Sequence, residues 1–158
     1  MALETTYGSP TAITITVTSL ADGSWRQSAA VDNSTNKHVD ALVGGSIQVG
    51  TSPTAGDKIN IYAYGAWDAS NYTAGASGSD AAYTADGEEG LLKLLEVIEV
   101  DATSDQDYSW GPVGVAQAFD GVLPDSWGVI VNNESGATLN ATGTNNQLDY
   151  VGVKYTNT

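Results

Sequence analysis

Along most of the chain, apolar and polar positions alternate with a period of two, the pattern of strands with one buried and one wet face. Residues 11–18 read TAITITVT, setting Ile13, Ile15 and Val17 on one side and Thr14, Thr16 and Thr18 on the other. Residues 58–67 read KINIYAYGAW, which sets Ile59, Ile61 and Ala63 against Tyr62 and Tyr64. The same pattern predicts strands over 39–49, 110–118, 127–131, 137–142 and 147–155, with a shorter one around 25–31. In 147–155 both registers carry apolar residues, Leu148 and Tyr150 on one and Val151 and Val153 on the other, so both faces should be partly covered. Turn-forming stretches at 21–23 (ADG), 33–36 (NSTN), 52–57 (SPTAGD), 132–136 (NNESG) and 142–146 (TGTNN) separate these runs. This is the rhythm of a sandwich or barrel.

Residues 90–100 (GLLKLLEVIEV) fit two periods. A helix would use Leu91, Leu94, Leu95 and Ile98; a strand would use Leu92, Leu94, Ile98 and Val100. The β-branched second half and the strands on either side favour the strand. One helical turn is expected near 119–122, ahead of Pro124. Residues 69–90, rich in Ala, Gly and Ser, make a longer connection than compact domains usually carry, either a functional loop or a lid of small side chains over one end. Residues 1–10 read as a polar arm and 11–158 as an all-β, jelly-roll-like antiparallel sandwich of about eight strands.

Composition narrows the chemistry. Among 158 residues there are 19 acidic and 5 basic side chains, a formal charge of −14 with only 15 % charged residues. The acidity therefore reflects scarce Lys and Arg, which argues against nucleic acid and anionic membranes as partners. Without Cys, thiolate chemistry and disulfides are excluded, and one His forbids a two-His metal site. No run approaches the ~18 apolar residues of a membrane span. The N-terminal residues lack the basic start and apolar core of a secretory signal, so synthesis in a cytoplasm is expected.

Four groups could still carry chemistry. His38 stands near Lys37 and Asp40, with Ser34, Ser46 and Ser52 close in sequence, but no nucleophile elbow is present. Glu96 and Glu99 stand among apolar residues, where a glycosidase would keep an acid; the plainer reading is the wet side of an element. Asp101, Asp105 and Asp107 crowd one loop, the oxygen-rich setting Ca²⁺ favours, without the Gly and Glu of an EF-hand; a solvated turn is the plainer reading. Neither a metal nor any other cofactor is expected. Four Trp and eight Tyr against one Phe form an amphipathic set. Trp25, Trp67 and Trp110 sit at strand ends, suited to plugging a core, to an interface or to stacking on sugar.

Several stretches together resemble a group of small β-rich virion proteins of tailed bacteriophages. These are 28–36 (SAAVDNSTN) leading into 39–43 (VDALV), and 59–65 (INIYAYG) running on to 73–80 (TAGASGSD). The third is 111–124 (GPVGVAQAFDGVLP), followed by 127–133 (WGVIVNN) and 136–139 (GATL). The resemblance implies a jelly-roll-like sandwich and a non-enzymatic place on the particle, that of a capsid decoration (cement) protein. It implies the phage major capsid protein and further copies of the chain, as a trimer, for partners, and the capsid surface for location. It supplies no active-site residues. Leu3, Tyr7, Trp25, Arg26 and Trp67 are the expected interface residues, and a carbohydrate-binding module is the alternative reading.

Overall fold

The computed structural model describes every residue except Met1, Ala69 and Thr158. It is all-β, two antiparallel sheets that curl around one apolar core. In chain order the strands are β1 (Leu3–Tyr7), β2 (Thr11–Ala12), β3 (Ser24–Gln27), β4 (Val31–Asp32), β5 (Asp40–Gln48) and β6 (Lys58–Ala66). There follow β7 (Ala81–Ala82), β8 (Lys93–Glu99), β9 (Asp107–Gly114), β10 (Ser126–Glu134) and β11 (Gln147–Asn157). Sheet A runs β1-β11-β5-β9, with β2 continuing the edge along β11; sheet B runs β7-β3-β10-β6-β8, with β4 on β10. Three of the described strands hold only two residues, so the longer ones number eight. No described helix is long and apolar enough to cross a membrane.

The period-two stretches form strands where a backbone partner lies alongside. Ile59, Ile61 and Ala63 of β6 enter the main core with Val129 and Val131 of β10, Ala41 and Val43 of β5, and Leu148 and Tyr150 of β11. Trp127 of β10 meets Tyr150 of β11 edge to face across the two sheets, centroids 5.4 Å apart. Residues 93–99 are the strand β8, preceded by a 3-10 turn at Glu89–Leu91.

Four expectations change. The segment 11–18 stops being a strand after Ala12, although Ile13 and Val17 are buried as its alternation demands. It crosses between the sheets, so its backbone finds scattered partners: Ile13 N donates to Leu148 O, Thr14 O accepts from Ala29 N, and Thr16 N donates to the Asp80 carboxylate. Residues 137–142 hold only a single bridge, Leu139 to Val49. The helical turn comes earlier, at Ala116–Phe119, and β9 ends at Gly114. The stretch expected as an arm carries β1, in register on β11 from Leu3↔Asn157 to Tyr7↔Val153.

Glycine enables two close approaches. Gly111, at φ +79°, lies where β5 and β9 slip register, and a Cβ there would strike the Val43 carbonyl and Gly44. Gly128 of β10 leaves room for the Tyr64 ring, which a side chain would displace. The Tyr64 hydroxyl donates to Ser28 O at 2.7 Å, and burial pushes its pKa up to about 12.

The Ala/Gly/Ser-rich loop is a lid, but it covers the outer face of sheet B rather than one end. Ala74, Ala76, Tyr83 and Leu92 pack there on Tyr64 and Ile130 as a second buried cluster. Among the bonds that hold it to the sheet, Gln27 and Ser77 exchange two hydrogen bonds, Ala30 N donates to Gly78 O, Tyr83 N donates to Trp25 O, and Arg26 and Thr16 grip Asp80, while Tyr83 OH donates to Ala74 O within the lid. The Arg26–Asp80 ion pair closes to 2.6 Å. Burial alone would raise the Asp80 pKa, but the Thr16 and Arg26 hydrogen bonds prevail and hold the carboxyl below its usual range.

The abundance of Asn is partly internal. Asn33, Asn132, Asn133 and Asn146 are buried. Asn133 donates to Leu20 O and Ala137 O, and Asn146 donates to Asn140 O while accepting from Gln48 N. Short amides thus replace missing ladder partners where loops turn inside the fold.

Trp127→Ala should lower unfolding stability by about 3–5 kcal/mol in denaturant titration, the scale for emptying a buried aromatic site. Asp80→Asn should cost less, about 1–2 kcal/mol, but should speed amide exchange selectively over 72–92. Because the folded Asp80 pKa is depressed, the wild-type clamp is complete above about pH 4 and is lost as pH falls through the lowered value.

Candidate functional site

The two sheets differ in what covers their outer faces. Sheet B carries the lid. On sheet A, the β1–β11 register places Leu3, Thr5 and Tyr7 on one face with Asn157, Tyr155 and Val153, and the β11–β5 pairing continues that face through Val151 and Leu42. Gly152, Tyr150 and Leu148 take the opposite, core-facing side. Leu3, Tyr7 and Tyr155 are 65 %, 66 % and 57 % exposed. Further across, Leu42, Val151, Pro10 and Pro112 line an open trough of about 450 Å³, floored by the glycines at the β5–β9 slip. Trp110 borders this floor, and its indole N–H is buried without an acceptor among the described groups. The result is a sheet face on which the exposed Leu3, Tyr7 and Tyr155 and the half-buried Val151 and Leu42 alternate with polar residues such as Thr5, Asp40, Asp149 and Ser46, while Val153 is buried. Exposed apolar groups gathered in this way mark a contact surface more often than a bare one.

The expected interface residues do not form one patch. Leu3 and Tyr7 lie on this face. Trp25 stands opposite Asn132 on sheet B, half-buried and stacked on Tyr62 with centroids 5.5 Å apart. Arg26 is committed to Asp80 inside the lid clamp. Trp67, 82 % exposed, follows β6, whose last residue pairs with Ser126 at the other end of β10. Tyr155, Leu42 and Pro112 escaped the sequence reading; the apolar second register of 147–155, which holds Val151 and Val153, was the signal that could have drawn Tyr155 in.

A second concavity, about 610 Å³, lies between the start of β5 and the 116–125 segment, lined by Lys37, His38, Asp40, Asp125, Val122 and Tyr155 among others. None of Ser34, Ser46 and Ser52 lines it. Asp40 is engaged in structure, accepting from Ala41 N and Ala116 N, while Lys37 pairs with Asp125 at 2.9 Å. His38 packs its ring over Gly152. Burial, aided by the nearby Lys154, lowers its pKa from the usual 6.5 and favours the neutral imidazole.

The remaining candidates are dispersed. Asp101 accepts from Thr103 N, Asp105 accepts from Asn140 Nδ2, and Asp107 begins β9 opposite Gln48. Among the described residues no three acidic or histidine side chains converge as a metal site. Glu96 and Glu99 lie on β8, outside both concavities.

The His38 ring should titrate below 6.5 by NMR, and Lys154→Ala should move its midpoint part of the way back up. With the folded pKa depressed, the contribution to stability is complete above about pH 6.5 and is lost as pH falls through the folded value.

Scans of protein-family models and searches of curated proteins and solved structures find no match to this chain.

Proposed function

We propose that this chain is a non-enzymatic structural protein of a phage particle, a decoration protein that seats the outer face of sheet A on the capsid shell. The observation that carries the reading is that face, where the exposed Leu3, Tyr7 and Tyr155 stand beside the apolar trough of Leu42, Val151 and Pro112, on a molecule whose other sheet carries its own lid. Flat apolar faces bind other folded surfaces, whereas small-molecule sites are concave and converge polar groups. The net charge of −14 keeps free copies apart before assembly.

The strand order supports a jelly roll. Numbering only the eight longer strands, sheet A runs 1-8-3-6 and sheet B 2-7-4-5, so strand pairs 1–8, 2–7, 3–6 and 4–5 are all antiparallel neighbours. That is one long hairpin rolled upon itself, an architecture used by capsid and lectin domains alike. The step from fold to particle is an analogy, shared with the sequence resemblance. Partners on this reading are the major capsid protein and further copies of the chain, which the resemblance groups as a trimer.

The carbohydrate reading keeps one favourable observation, the 82 % exposed Trp67 beside a polar turn. Trp25 and Tyr62 do not help it, because their rings stack on each other instead of lying side by side.

Purified particles imaged by electron microscopy should carry many copies over the head. Val151→Ser and Leu42→Ser, which trim the exposed face, should lower occupancy on bare shells roughly tenfold, and Trp67→Ala should leave it unchanged. Absence from the head, or glycan binding that Trp67→Ala abolishes, would replace this reading with the other.

A further inference from the structure

Sheets with exposed edges usually carry a device against pairing with another chain: brevity, charge, proline or a bulge. Three of the four edges here have one. β7 is two residues long; β8 carries Lys93, Glu96 and Glu99 and a register slip; β9 carries Pro112 and the slip at Gly111. β1 (LETTY) is regular over five residues and has only Glu4. Among the described residues no strand lies on its outer side.

Its hydrogen-bonding polarity is readable. Gly8 N donates to Gly152 O at 2.8 Å, in register with the β1–β11 ladder. Antiparallel bonds alternate along a strand, so Thr6 and Glu4 also face β11, and Leu3, Thr5 and Tyr7 turn their N–H and C=O groups outward. An antiparallel second copy of β1 gains most when Thr5 faces its symmetry mate. Leu3 then lies opposite Tyr7 of the other copy, and three residue pairs exchange two bonds each. The side chains agree with this register. On the outer face, leucine meets tyrosine across the new seam, an aliphatic–aromatic pair of the kind that stabilises sheets. On the other face, Glu4 of one copy falls opposite Thr6 of the other, whose own neighbour on β11 is Lys154. Glutamate and lysine thus share a row, while the two glutamates stay apart. The contact is isologous, each copy offering the same strand.

We infer that β1 is a homotypic pairing edge, joining two copies of this chain about a two-fold axis through Thr5 into one continuous sheet. The contact goes beyond any grouping implied by the resemblance and needs no capsid.

Thr5→Pro tests it in the full-length protein. Its N–H points away from β11, so proline removes two bonds at the centre of the new seam and none from the fold. Sedimentation velocity should show a concentration-dependent dimer that Thr5→Pro weakens at least tenfold, the scale of losing a pair of backbone hydrogen bonds, with unchanged circular dichroism. Glu4→Lys should weaken the dimer, and the swap with Lys154→Glu should restore it. Amide exchange at Leu3, Thr5 and Tyr7 should slow as protein concentration rises. A monomer at about 100 µM would overturn the inference. So would a trimer or other oligomer indifferent to Thr5→Pro, or a charge swap that fails to rescue. Thr5→Pro leaves Val151 and Leu42 untouched, so loss of this contact and loss of shell binding are separate results.

Discussion

β10 is buried over eight consecutive residues, from Ser126 to Asn133, and β6 over most of its length. A strand pair in that position must be covered on both faces, and the rest of the molecule follows from that demand. One face is met by sheet A, where Trp127 and Tyr150 bridge the layers. The other is met by a loop. Its many small residues are suited to the task, since Ala74 and Ala76 can lie close over Tyr64 and Ile130 where larger side chains would hold the loop away.

Covering sheet B with a loop has an electrostatic cost, because a loop brings backbone groups without ladder partners. The chain meets it with side chains that imitate backbone. Buried asparagines serve the turns, and Asp80, gripped by Thr16 and Arg26, ties the lid to both neighbouring segments. In a molecule so poor in cations, committing the single arginine of the chain to an internal clamp marks how much the lid depends on that tie. It also removes Arg26 from any outward-facing role.

The asymmetry between the sheets separates the two surfaces proposed for contact. On sheet B the lid closes the outer face over Tyr64 and Ile130, Leu94 and Val97 of β8 stay exposed beside it, and both edges are guarded. Sheet A exposes Leu3, Tyr7 and Tyr155 on its outer face and has, in β1, one unguarded edge. Face and edge meet at Leu3 and Tyr7, so a paired molecule would present a broader version of the same apolar face to a shell. The two contacts use different physics: area removed from water on the face, and directional backbone bonds along the edge. Either can be lost without the other.

Much of the fold is legible in the amino-acid order. The all-β class, the strands expected over 39–49, 58–67 and 147–155, and the inward set of Ile13, Val17, Ile59, Ile61 and Ala63 follow from period two, because burial of one face imposes it locally. For 90–100, which fits both periods, β-branched residues and the flanking strands pointed to the strand found at 93–99. Scarce cations and absent cysteine likewise narrow the chemistry through composition alone. Tertiary structure decided what depends on a distant partner. Residues 11–18 have a strand's pattern and lack a strand's neighbour beyond Ala12. The arm became β1 because β11 runs long enough to receive it. The five expected interface residues scattered because exposure, unlike alternation, is set by what other segments leave uncovered. Leu3 and Tyr7 stay exposed on the edge strand β1, while Arg26 was drawn inward by an aspartate 54 positions away.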